Sequence, residues 1–381
     1  MTVSVTILLA SAMATLPPRP EVPRPESWTS REERAALPML SAARSEKITD
    51  AALAAEGCRI RISVAGEPKV KCVGNAAPIA GRHLKKVLMI GNSFSESVLV
   101  ELPKVALYVG ERLVLVNLMI GGCSLRRHWE NIEKSAVDPE FRPYAVEVNW
   151  EGETAVANTP LAKVAPHAHG SLQDIVKAGN WDLITVQQAS SDSWKPETYQ
   201  PYADNVIAQL RKLAPNAEIR VHQTWAYNAQ ETFDQMRMYN GLRAAYGDLA
   251  AKHGFRVIPV GEAIQTFRTE LPVSFRCLGK DEIAAVKTDV IPDMHGDPVG
   301  FFYWNTGRPW EQRDPKGDYR LRWDGCHLNS EGKYLQALVW YASLFGGDPR
   351  MVPYAPEKLD AHRAQVMREC AAKVTGLNGV P

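Results

Sequence analysis

Two short stretches carry the side chains best suited to covalent chemistry. Gly91-Asn92-Ser93-Phe94-Ser95 follows an apolar run, and Asp324-Gly325-Cys326-His327 lies just before an amphipathic stretch near the C-terminus. Gly91 permits a tight turn that sets Ser93 at or near a helix N-terminus, where unpaired N–H groups and the helix dipole favour negative charge. A serine so placed is suited to nucleophilic attack, although a serine near a helix start is on its own equally a cap. An aspartate three residues ahead of an imidazole, on one turn, can accept a hydrogen bond from Nδ1–H and leave Nε2 pointing at a hydroxyl. Serine from one stretch and imidazole from the other would together perform acyl transfer, provided that one sheet edge receives both.

A parallel sheet is the element that must receive them. From Leu84 onward, short β-branched runs alternate with longer helical patterns, and five runs stand out: Lys86 to Ile90, Leu113 to Ile120, Asp182 to Gln187, Glu218 to Thr224 and Arg256 to Val260. This alternation predicts an α/β fold, a doubly wound, mostly parallel five-stranded sheet with helices on both faces, of flavodoxin-like α/β/α type. Ligands of such sheets bind outside the carboxyl ends of the strands. Two stretches interrupt the pattern. Residues 129–165, with Tyr144 to Trp150 and Glu153 to Ala157, read as an inserted hairpin. Residues 266–322 read as a long binding loop or lid, with seven aromatics between Phe301 and Trp323 that could stack on sugar rings or pack a buried loop. The last helix is opened by Ser330, carries Leu335, Leu338, Ala342 and Phe345 on one face, and stops at Gly346-Gly347.

Composition narrows the function classes. The 381 residues make one large α/β domain with insertions or about two domains. With 44 Lys+Arg against 43 Asp+Glu, the net charge of +1 offers no concentrated basic face, which argues against nucleic-acid partners. No apolar stretch reaches the ~18 residues of a membrane span, so no stable membrane association is expected. Residues 1–16 resemble a signal peptide with small residues at Ala10, Ala12 and Ala14, although no Lys or Arg precedes the apolar run, and Pro17 to Pro25 forms a proline-rich linker. A secreted or periplasmic protein is expected, and six cysteines suit an oxidising compartment. Cys58 to Cys72 alternates apolar and charged residues around Gly66, which predicts a hairpin closed by a Cys58–Cys72 disulfide. Cys123 and Cys326 adjoin the two chemical stretches, where a disulfide or two separate thiols fit equally.

Metal chemistry finds little support. His167 and His169 have no carboxylate cluster of matching spacing and read as a solvent-facing loop, and Asp293-Met-His295-Gly-Asp297 resembles a metal loop only in composition.

The ordered blocks resemble the SGNH (GDSL-like) hydrolase superfamily, in a branch whose first block reads GNSF. They are Gly91-Asn-Ser-Phe-Ser, Gly121-Gly122-Cys123-Ser124-Leu125 with His128-Trp129, Trp181 to Ser190, His222-Gln-Thr-Trp-Ala-Tyr227 and Asp324-x-x-His327. The resemblance spans roughly 84–345 and implies a hydrolase domain over 84–347, between an N-terminal extension (17–83) and a C-terminal helical tail (348–381). It implies Ser93 as nucleophile, His327 as base and then acid, and Asp324 as its orienter. The oxyanion would be held by the N–H groups of Ser93 and Gly122 and by a side-chain amide. The superfamily's Gly-x-Asn-Asp is absent; Gln187-Gln188 stands there, and Gln188 is favoured because only one of two neighbours on a strand can face the site. Gln187, His222, Trp225, Trp304 and Trp323 are candidates for the substrate pocket. The expected activity is hydrolysis of short, acetyl-type esters on carbohydrate, with a small-molecule or polysaccharide ester as partner and neither metal nor organic cofactor required. The alternatives are a carbohydrate methylesterase, a non-catalytic carbohydrate-binding protein on the same scaffold, and a phosphate- or nucleotide-binding flavodoxin-like protein that uses the Gly91 to Ser95 turn as an anion nest.

Overall fold

The structure is a computed structural model that describes residues 82–152, 154–227, 234–270, 297–304 and 321–377, with backbone only at 300–304 and 321–323. The expected signal peptide, the proline linker, the Cys58–Cys72 hairpin, Asp293 and His295 lie outside the described residues.

Strand β1 (Lys85–Gly91) is the middle of the main sheet, paired in parallel with β2 (Leu113–Met119) on one side and β5 (Leu183–Val186) on the other. Beyond β5 lie β6 (Glu218–His222) and β7 (Arg256–Ile258), both parallel. These are the five expected strands. They are apolar nearly throughout because helices bury both faces.

Two further strands correct the count to seven. β3 (Tyr144–Trp150) runs antiparallel along the outer edge of β2, and β4 (His169–Gly170) pairs antiparallel with β3, giving the order β4-β3-β2-β1-β5-β6-β7. Tyr144, Val146 and Val148 are buried while Ala145 and Glu147 between them are half-buried, the one-sided alternation of an antiparallel edge. The inserted hairpin is therefore not a separate unit. Trp129 begins no insertion, since it lies inside helix α3 (Leu125–Val137), and Val156–Asn158 is a single 3-10 turn rather than a strand.

Side-chain alternation divides the core. Leu88, Ile90, Val116, Leu118, Ile184 and Val186 point to a face covered by α3, α4 (Leu172–Ala178), α5 (Tyr202–Leu213) and α6 (Gln235–His253). Val87, Met89, Leu115 and Leu183 point to the opposite face, under α2 (Val98–Tyr108), α7 (Val260–Glu270), α8 (Ser330–Phe345) and α9 (Ala361–Val374). Helix α8 packs against α2, α7 and α9, so Leu335, Leu338, Trp340 and Leu344 are all buried. Each such side chain contributes roughly 1.5–3 kcal/mol of burial. Its cap is Asn329, whose Oδ1 accepts from Gly332 N at 2.9 Å, one residue earlier than the expected Ser330; Gly346 ends it in the left-handed conformation at φ 66°. Among the described residues, no helix is long and apolar enough to cross a membrane.

A separate antiparallel ribbon pairs β8 (Val299–Trp304), inside the stretch expected as loop, with β9 (Leu321–Leu328), which begins at the end of that stretch and runs through Asp324 and His327. Ladder partners jump from Val299↔Leu328 to Phe301↔Asp324, which leaves a bulge over residues 325–327.

Candidate active site

Ser93 owes its position to the residues on either side of it. Asn92 caps the one-turn helix α1 (Ser93–Glu96), accepting from Phe94 N at 3.0 Å, and Ser95 Oγ accepts from Asn92 N at 3.1 Å, a reciprocal pair that closes the turn. Gly91 is required there: a Cβ would lie 2.8 Å from Gln187 Cδ and 2.5 Å from Ser95 Oγ. Ser95 Oγ also lies 2.7 Å from Asn117 Oδ1 on β2, tying the turn to the neighbouring strand.

His327 and Asp324 sit on β9. On a regular strand, residues three apart face opposite sides; the bulge turns them together. His327 Nδ1–H donates to Asp324 Oδ2 at 2.6 Å, and the backbone N–H groups of Cys326 and His327 both donate to Asp324 Oδ1 at 3.0 Å. Burial works to raise the Asp324 pKa, but the hydrogen bonds from His327 and Cys326 outweigh it and hold the carboxyl well below its usual range. Because the carboxylate can only accept, the Nδ1 proton is fixed and Nε2 is left as acceptor. Nε2 lies 2.7 Å from Ser93 Oγ, which joins residues 234 positions apart. The His327 side chain is 37% exposed, so the pair opens to solvent.

Behind Ser93 runs a buried polar circuit. Gln187 Nε2 donates to Asn92 Oδ1 at 2.8 Å, and Gln187 Oε1 lies 2.6 Å from His222 Nδ1. Burial pushes the His222 imidazole down to about 3, so it is neutral, with its proton on Nδ1. Its Nε2 faces Gln336 Nε2 on α8 at 3.4 Å; Gln336 also donates to Phe94 O at 3.2 Å and accepts from Ser97 Oγ at 2.7 Å. The nucleophile turn and the helix that follows His327 are thereby tied through one set of hydrogen bonds.

These positions revise several expectations. Gln188 points to the opposite face of the sheet: its Oε1 accepts from Leu125 N and Ala189 N at 2.8 and 2.9 Å, and its Nε2 donates to Thr198 at 3.1 Å. With its amide engaged by the framework, it is not turned to Ser93. Gln187, His222 and Trp225, expected in the substrate pocket, are buried, with Gln187 and His222 engaged in the polar circuit behind Ser93. The Trp225 ring stacks on Phe94 at 4.1 Å, and its Nε1 donates to Cys326 O at 2.8 Å. Trp304 and Trp323 belong to the ribbon, but their side chains lie outside the described residues. Gly122 follows β2 in the left-handed conformation (φ 60°), and Asn92 Nδ2 donates to Cys123 O at 3.2 Å, so its turn is joined to that of Ser93.

Other candidates resolve more simply. Cys123 and Cys326 are separate thiols. His167 and His169 are exposed, and Asp297 is buried against Arg268. Sequence reasoning missed Gln336, Asn117 and the Ser190–Tyr227 hydroxyl pair, 2.6 Å apart in the segments that follow β5 and β6. Gln336 had a signal: it is a polar residue in a helix that is otherwise apolar on nearly every side.

A family model described as a domain of unknown function, DUF4886, matches residues 86–271, a span that includes Ser93 but ends before Asp324 and His327. The chain is similar to the crystal structure of a DUF4886 family protein from Bacteroides uniformis, at 25% identity and a TM-score of 0.57, over 78% of this chain and 98% of that one. A putative GDSL-like lipase from Parabacteroides merdae matches at 12% identity and TM-score 0.37 over 68% of this chain and 97% of its own. The acetyl xylan esterase AlAXEase matches at 11% and 0.36, over 68% and 100%. At such TM-scores the last two likenesses carry no weight for this chain's chemistry. No curated protein matches the chain.

Proposed function

We propose that the protein is a serine carboxylic-ester hydrolase of SGNH type that removes short acyl groups, acetyl foremost, from carbohydrate. The supporting observation is the unbroken line Ser93 Oγ–His327 Nε2 at 2.7 Å and His327 Nδ1–Asp324 Oδ2 at 2.6 Å. It lies at the carboxyl ends of β1 and β5, where the strand order reverses.

In this mechanism Ser93 Oγ attacks the ester carbonyl as its proton passes to His327 Nε2. The oxyanion meets the Ser93 N–H at the first position of α1, the local helix dipole and the Gly122 N–H. His327 then returns the proton to the leaving sugar alkoxide, and an acyl-enzyme remains. Water then attacks the acyl carbon as it gives a proton to His327, and His327 passes that proton to Ser93 Oγ as the acyl–Oγ bond breaks, releasing the acid and restoring the free serine. No step needs a metal or cofactor. Asp324 stays ionised throughout and stabilises the imidazolium.

The acyl and sugar assignments draw on the SGNH-like blocks, on the signal-like N-terminus and on the aromatic density between 301 and 323, the stretch that leads into Asp324 and His327. The test is release of acetate and methanol from acetylated and methyl-esterified glycans. The expected result is acetate without methanol, with Ser93→Ala slower by at least about 10³-fold. Equal acetate release by Ser93→Ala would refute the mechanism, and methanol alone would refute the acyl assignment.

A further inference from the structure

Among the described residues at this site, Cys326 is a side chain to which the ester-hydrolysis mechanism gives no part. Its Sγ lies 3.0 Å from Asp324 Oδ1 and 3.4 Å from His327 Nδ1, and the three side chains bring their ligand atoms within 4.8 Å of one another. Thiol sulfur, imidazole nitrogen and carboxylate oxygen are together the donor set of a borderline-soft divalent cation. We propose that Asp324, Cys326 and His327 form a binding site for a thiophilic divalent cation, Zn2+ foremost, and that its binding switches the base off. The binding stands on geometry alone; its consequence for turnover rests on the hydrolase mechanism above.

The spacing is close to what a cation needs. Tetrahedral zinc holds a sulfur and a nitrogen about 3.5 Å apart, and Sγ and Nδ1 are 3.4 Å apart already. The Nδ1–Oδ2 edge, 2.6 Å while it shares a proton, must open to about 3.4 Å. The ligands lie on a bulge in a two-stranded ribbon rather than in a packed strand, and His327 is partly exposed, so solvent can supply the fourth ligand.

The proton balance explains the inhibition. Zn2+ takes the Nδ1 lone pair, the imidazole proton moves to Nε2, and the thiol proton is released to solvent as the Zn–S bond forms. Nε2 then presents a donor to Ser93 and cannot accept its proton. The nucleophile remains in place without a base.

Binding is read apart from turnover by Zn2+ equilibrium dialysis and Co2+ optical titration of the full-length Ser93→Ala protein. The expected result is metal uptake with a thiolate-to-cobalt charge-transfer band, one equivalent of which is lost when Cys326→Ser is added. Should that variant fold poorly, His327→Gln added to Ser93→Ala must lose the same equivalent with every thiol retained. In the wild type, ester turnover should fall as Zn2+ rises and return on chelation, and the half-inhibiting Zn2+ concentration should rise at least about tenfold in Cys326→Ser, relative to that variant's own metal-free rate. Uptake and cobalt spectra that are identical with and without Cys326 would overturn the proposal. A Cys326-dependent cobalt band in a protein that hydrolyses no ester would leave the site standing and remove the hydrolase reading, and turnover indifferent to Zn2+ without the band would do the reverse.

Discussion

Replacing Asp324 by Asn keeps the shape of the side chain and removes both its charge and the constraint that it only accept. Asn can donate to Nδ1, which fixes the imidazole with its proton on Nε2, the wrong side for Ser93. Asp324→Asn should lower kcat by about 10⁴-fold and change KM much less; steady-state kinetics on an acetyl ester check this, and a kcat within tenfold of wild type would contradict the assigned role. Ser93, Asp324 and His327 were legible because each has a distinctive type and a short-range context. The choice between Gln187 and Gln188 was not: period-2 alternation says that they point apart, but only the register of β5 between β1 and β6 says which one faces Asn92. Leu183, Thr185 and Gln187 share the face that holds Phe94 and Trp225, and Gln188 falls with Ile184 and Val186.

At the scale of elements, the nucleophile turn and the bulged ribbon have to hold their shapes independently for Ser93 and His327 to meet. Gly91→Ala tests the first. The added methyl meets Gln187 and Ser95, which hydrogen bonds hold to Asn92 and Asn117, so the turn must shift. A stability cost of about 1–3 kcal/mol is expected, with kcat reduced by about 10²-fold at little change in KM, since a displacement of about 1 Å at a reacting atom has that effect. Urea unfolding and steady-state kinetics measure the two, and an unchanged kcat would show that the turn tolerates displacement. The five parallel strands were legible as apolar β-branched runs. The β3–β4 edge was not, because Tyr144 to Trp150 reads as a strand from its own residues but its pairing with β2 is a long-range choice. The β9 bulge was equally hidden: spacing alone put Asp324 and His327 on a turn, whereas a defect in a strand brings them together.

Across the whole molecule, two neutral histidines make stability depend on pH. Burial pushes His222 down to about 3, and burial first and then Arg127 push His128 down to about 3. In the unfolded chain both titrate near 6.5. Between those values the unfolded chain binds protons that the folded chain refuses, so stability is lost as pH falls below about 6.5. The loss is about 2 kcal/mol per histidine at pH 5. Asp324, held low by its hydrogen bonds, adds its own loss only below the ordinary carboxylate range near 4. The urea midpoint should therefore drop between pH 7 and pH 5, and roughly half as far in His222→Asn; a midpoint flat over that range would mean that the two imidazoles are not buried neutral. Composition and strand patterning made the α/β class legible at this scale, while the division of the core into two layers depends on which face each helix covers.

Covalent capture tests the central claim most directly. A fluorophosphonate reacts with a serine whose proton a neighbouring base can take, and peptide mass spectrometry locates the adduct. The expected result is one adduct, on Ser93, in the wild type, and almost none in His327→Ala. An adduct on another serine, or labelling of Ser93 that is unaffected by loss of His327, would contradict the account.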